Sequence, residues 1–458
     1  MHSRNKFNIL FIQIHDGIGC HHTISKFAHL YKAIMIRILA MILAGGRVDD
    51  LSVLTLNRPK SAVPFGGMYR IIDFSLSNLM HSGIEKVGVL SQFHSSSLVR
   101  HIGVGSSWDM VGRDRGMMVL PPFKAAGNSD WYKGTADAVF QNIDFIEEFD
   151  PDLVLVLSGD HVYHLNYNEV IDYHLTKKAD VTAVFKQVPL ETAHRFGIAS
   201  IDDEDNEKGG RITAYNEKPS NPESAWASLT IYLFNAGVLK NSLLQFTKNL
   251  KSFEFGQHLI PQLVKTHRSY GYKYYDYWGY SRTIPEYWHA NMDLLAEEPL
   301  IDLAKWQIRT NLDHRNLRDR TPTIISESAN IEDSIVYTGA VIEGDVSRSV
   351  IFPGVRIEAG AKVSNSVIMF DTIVKKGSNL YKTILDTDIC IGQNSHIGGS
   401  DGSQEKQTSG LIKIDGITVV GQNVKIPSNM VIGENCIINP HKTENDFKES
   451  FIPSGKLI

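Results

Sequence analysis

An aspartate stands directly after an uninterrupted apolar run. Leu153–Leu157 is followed by SGDHVY, so Asp160 lies just past the carboxyl end of a predicted buried strand. In an open α/β sheet, ligands bind beyond the carboxyl ends of the strands. A carboxylate at that position suits a hard cation, which prefers oxygen ligands. We therefore favour a metal site at Asp160 over an aspartate that only caps a turn.

Two glycines end a second apolar run. Ile38–Leu43 is followed by Ala44, Gly45 and Gly46, which predicts a buried strand that ends in a turn. Glycine has no Cβ, so the N–H groups of such a turn can approach an anion closely. A predicted helix at Ile71–Met80 and a strand at Val87–Leu90 complete a typical nucleotide-binding βαβ start. Taken alone, the turn is equally consistent with no ligand.

Two further stretches carry polar groups at element ends. In WYKGTADAVFQN, Thr135 is the expected N-cap of a helix, and Gly134 would let a flat base approach the backbone. In NEKP, Lys218 follows a short strand and is suited to a phosphate as a point charge. The alternatives are an ordinary capped helix and an exposed lysine.

Composition narrows the class of protein. The chain has 458 residues, which favours two or three domains, and 42% hydrophobic and 21% charged residues are typical of a globular protein with a large core. A net charge of −5 gives no reason to expect nucleic acid or a membrane surface as partner. None of the three cysteines lies in a CxxC pair, so we expect no disulfide framework or zinc site, and a reducing, cytoplasmic setting. No apolar run reaches the roughly 20 residues of a membrane helix.

The pattern along the chain predicts four segments, of which the first three lie before residue 323. Residues 1–34 are expected to be a leader outside the fold or the result of a start codon assigned too early. Residues 35–300 alternate apolar strands with amphipathic segments, which favours a mostly parallel sheet covered on both faces. Residues 301–322 end in a polar, basic run and are interpreted as a linker.

Residues 323–458 show a loose hexapeptide period. Small or branched residues recur every five to six positions with glycines between them, as in PGVRIEAGAKV, which predicts a parallel β-helix. The predicted inward positions are Ile335, Ala340, Val346, Val350, Val355, Ala361, Val367, Thr372, Ser378, Ile384, Ile389 and Ser395. Two polar stretches, 202–210 and 400–410, are expected to be loops.

These motifs together resemble one family. LAGG, RPKSAVPFGGMYRIIDF, WYKGTADA, SGDHVY, FGI, NEKP and WHANMDLL occur in the order found in sugar-phosphate nucleotidyltransferases, and most specifically in the glucose-1-phosphate adenylyltransferase family. The resemblance covers about residues 35–440. It implies an α/β fold, in which a Rossmann-like nucleotidyltransferase domain with a mostly parallel sheet precedes a left-handed parallel β-helix. The implied reaction joins ATP and glucose 1-phosphate, with Mg²⁺ bound, to give ADP-glucose and pyrophosphate for glycogen synthesis.

The resemblance also implies roles for particular residues. Catalysis would rest on Asp160, which would hold the Mg²⁺, on Lys60 near the phosphates and on Lys218 at the sugar phosphate. Glu217 and Ser228 would bind the sugar phosphate with Lys218. The nucleotide would contact Leu43, Ala44, Gly45, Gly46, Gln92, Gly134 and Thr135. Arg58 and Arg70 match positions near a site for metabolic effector anions. The family assembles as tetramers, so a homotetramer or a mixed oligomer with a catalytic relative is expected.

The sequence departs from the family at three places. The family's GG-x-G-x-R-L is GGRVDDL here, so Asp50 replaces an arginine that normally stabilises the triphosphate and the leaving pyrophosphate. Loss of an oxyanion-stabilising group typically costs about 10²–10³ in rate. The family's W-x-D-V-G-T is WGYSRT here, so Tyr280 replaces the usual second metal ligand, which Asp276 would replace only if the backbone shifted. Gln257 and His258 alter the segment near the sugar.

Three hypotheses follow from these departures. In the first, the chain is an active adenylyltransferase in which Arg47 or Arg282 supplies the missing positive charge. In the second, it is a catalytically silent relative that binds nucleotide or effector and regulates a catalytic partner. In the third, it transfers another nucleotide or sugar.

Overall fold

The computed structural model describes residues 36–46, 48–113, 115–122, 131–202, 208–246, 252–399 and 414–458. Residues from Ile38 to Ile458 form one compact unit, to which the following description applies. The predicted leader and the predicted loop at 400–410 both lie outside the described residues. In the described ranges, no helix has the length and apolar composition needed to cross a membrane.

A nine-stranded sheet forms the centre of the first domain, in the order β5-β4-β1-β6-β11-β8-β12-β10-β9. Its strands are β1 (Ile38–Leu43), β4 (Lys86–Leu90), β5 (Gly116–Leu120), β6 (Leu153–Ser158), β8 (Val181–Gln187), β9 (Gly197–Ile201), β10 (Gly209–Glu217), β11 (Trp226–Asn235) and β12 (Ser269–Tyr274). Strand β2 (Pro64–Phe65) forms a small antiparallel pair with β3 (Tyr69–Arg70). Strand β7 (Val162–Tyr163) forms another with β13 (Trp278–Gly279).

The prediction of a mostly parallel sheet needs a correction. Strands β5, β4, β1 and β6 are mutually parallel, and β8 pairs with β12 in parallel. Strand β11, however, runs antiparallel to both β6 and β8, and β9 and β10 are also antiparallel to each other. Of the loop predicted at 202–210, Gly209 and Gly210 belong to strand β10, and residues 203–207 lie outside the described part of the chain. An apolar strand covered on both faces has the same composition in either direction, so its sequence does not encode its orientation.

Helices and short helical turns connect these strands. The helices are α1 (Ile72–His81), α2 (Ser96–Ile102), α3 (Thr135–Gln141), α4 (Ile143–Phe149), α5 (Tyr167–Thr176), α6 (Leu190–Ala193), α7 (Ala236–Phe246), α8 (Ile260–Thr266) and α9 (Ile284–Met292). Helical turns of 3-10 type cover Asp49–Thr55, Lys60–Ala62, Ser106–Trp108 and Glu444–Asp446, and a π-helical turn covers Phe255–Leu259. Helix α9 begins with a capping box, in which Thr283 and Glu286 each bond to the other's backbone N–H.

The second domain is a left-handed parallel β-helix built from three sheets. Its strands are β14 (Ile324–Ile325), β15 (Ile331–Glu332), β16 (Ile335–Val336), β17 (Val341–Ile342), β18 (Asp345–Ser347), β19 (Val350–Ile351), β20 (Arg356–Ile357), β21 (Lys362–Ser364), β22 (Val367–Ile368), β23 (Ile373–Val374), β24 (Asn379–Tyr381), β25 (Thr383–Leu385), β26 (Cys390–Ile391), β27 (His396–Ile397), β28 (Thr418–Val420), β29 (Lys425–Ile426), β30 (Val431–Ile432), β31 (Ile437–Ile438) and β32 (Phe451–Ile452).

The predicted inward positions of the β-helix are confirmed. Ile335 is partly buried and packs against the core, whereas the other eleven residues are buried, nine of them with no exposed surface. Hydroxyl side chains stack between coils, because the N–H groups of Ser366 and Thr383 donate to the Oγ atoms of Ser349 and Ser366, each 17 residues earlier. The hexapeptide pattern therefore identified the core of this domain residue by residue.

The two domains share a continuous apolar core. Residues 301–322, interpreted as a linker, contain no regular strand or helix, yet Ile301, Trp306 and Ile308 are buried within that core. The hydroxyl of Tyr337, in the β-helix, donates to the carbonyl oxygen of Gly66 at 2.6 Å. The indole N–H of Trp288 likewise donates to the carbonyl of Asn365 at 2.8 Å. The segment that follows the glycine turn is thus packed directly on the β-helix.

Replacing Gly67 tests this packing. A Cβ at Gly67 would lie 1.7 Å from the ring of Tyr337, and its φ of 97° is strained for other residues. We expect Gly67→Ala to destabilise the protein by about 2–5 kcal/mol, since overpacking costs roughly 1–3 and the backbone conformation about 1–2. Gly83→Ala is the matched control, because Gly83 has φ of 68° and a Cβ there would meet nothing within 4 Å. Equal melting temperatures for the two variants would contradict the proposed contact.

Candidate active site

The carboxyl ends of three parallel strands meet at one place. In the register of the sheet, Leu43 of β1 lies opposite Leu90 of β4 and Ser158 of β6. The N–H of Ala44 donates to the carbonyl of Leu90 at 2.9 Å, and the N–H of Gly159 donates to that of Leu43 at 3.0 Å. The glycine turn is therefore fixed between the residues that follow β4 and those that follow β6.

The two glycines of the turn do different things. A Cβ on Gly45 would come within 2.9 Å of the backbone nitrogen of Gln92, so only glycine allows this close approach. A Cβ on Gly46 would have nothing within 4 Å, because this residue faces the open cleft. The Oε1 atom of Gln92 accepts a hydrogen bond of 2.8 Å from the N–H of Tyr132. The turn is thus closely packed at Gly45 and open at Gly46.

Asp160, whose side chain is 26% exposed, forms an ion pair with the buried Lys60. The Nζ atom of Lys60 lies 3.3 Å from Oδ2 of Asp160 and donates to the carbonyl of Tyr280 at 2.6 Å, and its side chain is only 1% exposed. Burial opposes ionisation of Asp160, but Lys60, His161 and the Ser158 hydroxyl outweigh it and hold the pKa of the carboxyl below its ordinary value. Burial also lowers the pKa of Lys60, against the raising effect of Asp160.

His161 completes the wall next to Asp160. Its Nε2 atom lies 3.3 Å from Oδ1 of Asp160, and its ring packs edge-on against Trp278. Burial lowers the pKa of His161 to about 4, with Lys60 adding to the effect and Asp160 opposing it. The imidazole is therefore neutral near pH 7 and adds no charge to the site.

The start of helix α3 is held by a carboxylate. Thr135 is the first residue of the helix and Gly134 is the N-cap, so the prediction that Thr135 is the N-cap is wrong by one position. Oε2 of Glu254 accepts hydrogen bonds from the N–H and the hydroxyl of Thr135, at 2.7 and 2.6 Å. A Cβ on Gly134 would lie 2.3 Å from the carbonyl oxygen of Phe253. The glycine thus accommodates the 253–254 segment rather than leaving open space for a base.

The residues predicted to bind a sugar phosphate form the opposite wall. Lys218 follows strand β10, and its N–H donates to the carbonyl of Phe196 at 2.9 Å. Burial raises the pKa of Glu217, whose Oε2 accepts from the Tyr215 hydroxyl at 3.1 Å. The hydroxyls of Ser228 and Tyr232 lie 3.1 Å apart. This wall therefore offers one cation, one carboxylate and several hydroxyl groups.

These groups all line one cleft with a volume of about 840 Å³. The cleft brings together the predicted nucleotide, catalytic and sugar-phosphate positions: Leu43, Ala44, Gly45, Gly46, Lys60, Gln92, Gly134, Thr135, Asp160, Glu217, Lys218 and Ser228. Arg58 and Arg70 do not line it. The arrangement suits a large, polyanionic ligand, although the role of each residue stays a prediction.

Comparisons with known proteins agree with this geometry. The Nucleotidyl transferase family model matches residues 39–297, and the family model described as GlmU-like, C-terminal hexapeptide matches residues 323–420. A relative from Thermotoga neapolitana, named glucose-1-phosphate adenylyltransferase, is 43% identical over 426 residues, 92% of this chain and 98% of the relative. One of the same name from Acetivibrio thermocellus is 39% identical over 425 residues, 92% of this chain and 97% of the relative. The chain belongs to the glucose-1-phosphate adenylyltransferase family.

Of the residues at which the sequence departs from the family pattern, Gln257, Tyr280 and Arg282 line the cleft, whereas Asp50 and His258 are not among its lining residues. Nε of Arg282 lies 3.9 Å from Oδ2 of Asp50. Asp276 instead lines a separate depression with Glu169 and Tyr272, so it does not replace the lost carboxylate of the cleft. Arg47, the other candidate for the missing charge, lies outside the described residues.

The predicted effector arginines lie between the domains. Arg58 pairs with the fully buried Asp386 of the β-helix and donates to the carbonyl of Leu54 at 2.9 Å. Nη2 of Arg70 lies 3.4 Å from Nε2 of His314. Burial and Arg58 lower the pKa of Arg70 to about 10, whereas burial and Arg70 lower the pKa of His314 to about 3. The two arginines thus share one interdomain contact, separate from the cleft.

The cleft fits a divalent metal ion only when substrate phosphates supply the remaining ligands. Within the described residues, no cluster of three or more histidine, cysteine, aspartate or glutamate side chains is arranged to hold a metal ion. Asp160 provides one carboxylate whose lowered pKa keeps it ionised. One carboxylate together with substrate phosphates is a usual environment for Mg²⁺. Such an ion would therefore take its ligands from both Asp160 and the phosphates of the nucleotide.

Arg195 is a cleft residue that the sequence analysis missed. It lies just before strand β9, lines the cleft and pairs with Glu286 at 2.6 Å. An arginine directly before the FGI motif was the available clue, but its partner is 91 residues away in the chain. No local pattern connects two such positions.

Removing Glu254 tests how the start of α3 is held. Glu254→Ala leaves the N–H and hydroxyl of Thr135 without their partner, so we expect a loss of about 1–3 kcal/mol in stability and several-fold weaker binding of a nucleoside triphosphate. Glu169→Ala is the control, because Glu169 accepts a 2.9 Å hydrogen bond from Tyr272 outside the cleft. Melting temperatures and calorimetric titration measure the two effects. Unchanged nucleotide affinity in Glu254→Ala would contradict the assignment.

Proposed function

We propose that this chain transfers an adenylyl group from ATP to glucose 1-phosphate. A phosphate oxygen of glucose 1-phosphate attacks the α-phosphorus of ATP. The bond from that phosphorus to the oxygen that bridges the α- and β-phosphates breaks, and pyrophosphate leaves. The products are ADP-glucose and pyrophosphate. The proposal agrees with the name of the curated relatives, which match over most of their own length.

One observation carries the proposal. The glycine turn, the Asp160–Lys60 pair and the Glu217–Lys218 wall come from distant parts of the sequence, yet they line the same cleft. An open glycine backbone and a lysine suit phosphates, whereas a wall of carboxylate and hydroxyl groups suits a sugar. Phosphoryl transfer needs mainly positioning and positive charge at the phosphate oxygens. The cleft supplies both kinds of group around one centre.

Each residue of the cleft then has its own role in the reaction. Gly46 offers an open backbone to the nucleotide phosphates, and Lys60 places a cation beside them. Lys218 holds the phosphate of the sugar for attack, while Glu217 and Ser228 contact the sugar. Asp160 would hold Mg²⁺, which when bound would neutralise charge on the phosphate oxygens.

Pyrophosphate release by the purified full-length chain tests the reaction. The assay contains ATP, glucose 1-phosphate and Mg²⁺, with and without fructose 1,6-bisphosphate. Turnover that requires all three components supports the proposal. Absence of turnover with ATP or effector still bound would favour the silent regulatory relative, for which the curated relatives give no support. Turnover only with another nucleotide or sugar would favour the third hypothesis.

Asp160→Asn tests the metal assignment. We expect Mg²⁺-dependent turnover to fall by a factor of at least about 10²–10³, because the carboxylate beside the phosphates is lost. Asp276→Asn is the matched control, since this aspartate lies outside the cleft. Unchanged turnover in Asp160→Asn, or an equal loss in Asp276→Asn, would show that the assignment is wrong.

Regulation and assembly stay predictions. Arg58 and Arg70 are proposed to respond to metabolic effector anions through the interdomain contact described above. A homotetramer or a mixed oligomer is proposed from the family resemblance, and several apolar side chains of the β-helix are exposed, among them Ile324, Ile325 and Phe451. The fructose 1,6-bisphosphate arm of the assay and a molar-mass measurement in solution test these two points.

A further inference from the structure

The glycine turn of this chain is followed by a carboxylate at the position where the family pattern has an arginine. Asp49 and Asp50 begin the helical turn after it, and the side chain of Asp50 is 56% exposed. A carboxylate near the terminal phosphates of a nucleotide repels them. If the chain binds a nucleoside triphosphate, another residue must supply positive charge at this end of the cleft.

Arg282 lies at this end of the cleft. Its Nε atom is 3.9 Å from the Asp50 carboxylate, and its Nη1 atom donates to the Tyr280 hydroxyl at 3.0 Å. It also interacts electrostatically with Asp160 and Glu217, which line the same cleft as Arg282. The sequence positions of Asp50 and Arg282 are far apart, but the fold places their side chains together.

The backbone of Arg282 is held firmly and its side chain is bonded to Tyr280, whereas its pair with Asp50 is weak. Oε2 of Glu286 accepts hydrogen bonds from the N–H groups of Arg282 and Thr283, at 2.9 and 3.0 Å. The ring of Tyr280 lies 6.0 Å from the guanidinium carbon of Arg282. In contrast, the pair with Asp50 is long and the Arg282 side chain is 41% exposed, so that pair contributes little stability. The guanidinium can therefore exchange Asp50 for a phosphate at little cost.

Arg195 is the other arginine that lines the described part of the cleft, and it is less available. Its Nη1 atom is 2.6 Å from Oε1 of Glu286, in a pair whose members are 32% and 28% exposed. Its guanidinium carbon also lies near the Tyr280 ring, at 5.8 Å, so the close pair with Glu286 is what makes Arg195 less available. Arg282 is thus the better candidate for the nucleotide end.

We propose that Arg282 binds the terminal phosphates of the nucleotide and the leaving pyrophosphate, in place of the arginine that the family pattern has at the position of Asp50. Its planar guanidinium can donate two parallel hydrogen bonds to one phosphate group, which a lysine cannot do. Asp50 holds the arginine at the cleft until the phosphates replace it. This inference rests on the proposed function and identifies the residue that makes that function compatible with Asp50.

Inorganic pyrophosphate with Mg²⁺ is the probe that tests the inference, by calorimetric titration of the full-length protein. Arg282→Ala is expected to weaken pyrophosphate binding about tenfold or more and to raise the KM for ATP, with the KM for glucose 1-phosphate within about twofold of the original value. Arg282→Lys should recover part of the loss. Arg115→Ala is the matched control, since Arg115 is 44% exposed and pairs loosely with Glu85 at 3.5 Å, outside the cleft.

A charge exchange gives a second measurement. Asp50→Arg alone places two cations together, so it should strengthen pyrophosphate binding. Arg282→Asp alone places two carboxylates together, so it should weaken pyrophosphate binding. The double variant Asp50→Arg, Arg282→Asp restores one charge of each sign and should bind pyrophosphate more nearly as the original protein does. Affinities that simply add, or an Arg282→Ala variant that binds pyrophosphate as Arg115→Ala does, would overturn the inference.

The outcomes separate this inference from the proposed function. Turnover by the original protein with unchanged pyrophosphate affinity in Arg282→Ala keeps the function and rejects the role of Arg282. Weakened pyrophosphate binding in Arg282→Ala, in a protein that does not turn over ATP and glucose 1-phosphate, keeps the role of Arg282 and rejects the function. A protein that binds neither ATP nor pyrophosphate would overturn both.

Discussion

The ion pair between the buried Lys60 and the partly exposed Asp160 is the constraint on which the rest of the cleft depends. Asp160 is fixed by strand β6, whereas Lys60 reaches it from a helical turn that follows the glycine turn. Removing Asp160 would leave the ammonium group of Lys60, which is 1% exposed, without its charged partner. The pair therefore keeps the turn after β1 close to the end of β6. It also concentrates opposite charges at the point where the phosphates are proposed to react.

The same short segment connects the cleft to the β-helix. Lys60 points into the cleft, while Arg58, two residues earlier, pairs with Asp386 in the interior of the domain contact. The FGG turn that follows is packed against Tyr337. Because one segment carries both contacts, its backbone cannot move at the cleft without disturbing the domain contact. This gives the β-helix a structural influence on the cleft, whether or not an effector binds there.

The sequence predicted the parts that depend on local pattern. Apolar runs that end at Gly45 or Asp160 gave the strand ends, and the hexapeptide period gave the core of the β-helix almost position by position. It did not predict the direction of β11, since a strand buried on both faces has no directional signal. It also misplaced the cap of α3, because the partner that fills the space at Gly134 comes from Phe253, 119 positions along the chain. Contacts of that kind depend on the completed fold.

The departures from the family pattern are understood as a pair once the fold is known. Along the sequence, Asp50 is a lost cation and Arg282 is an unusual residue in an altered loop. In the fold Nε of Arg282 and Oδ2 of Asp50 are 3.9 Å apart, so the cation of one departure lies beside the carboxylate of the other. Electrostatic stabilisation of a phosphate depends on the distance and environment of the charge and not on the segment that carries it. A motif-based judgement that Asp50 abolishes catalysis therefore considers one side of the cleft, whereas the phosphates would experience both.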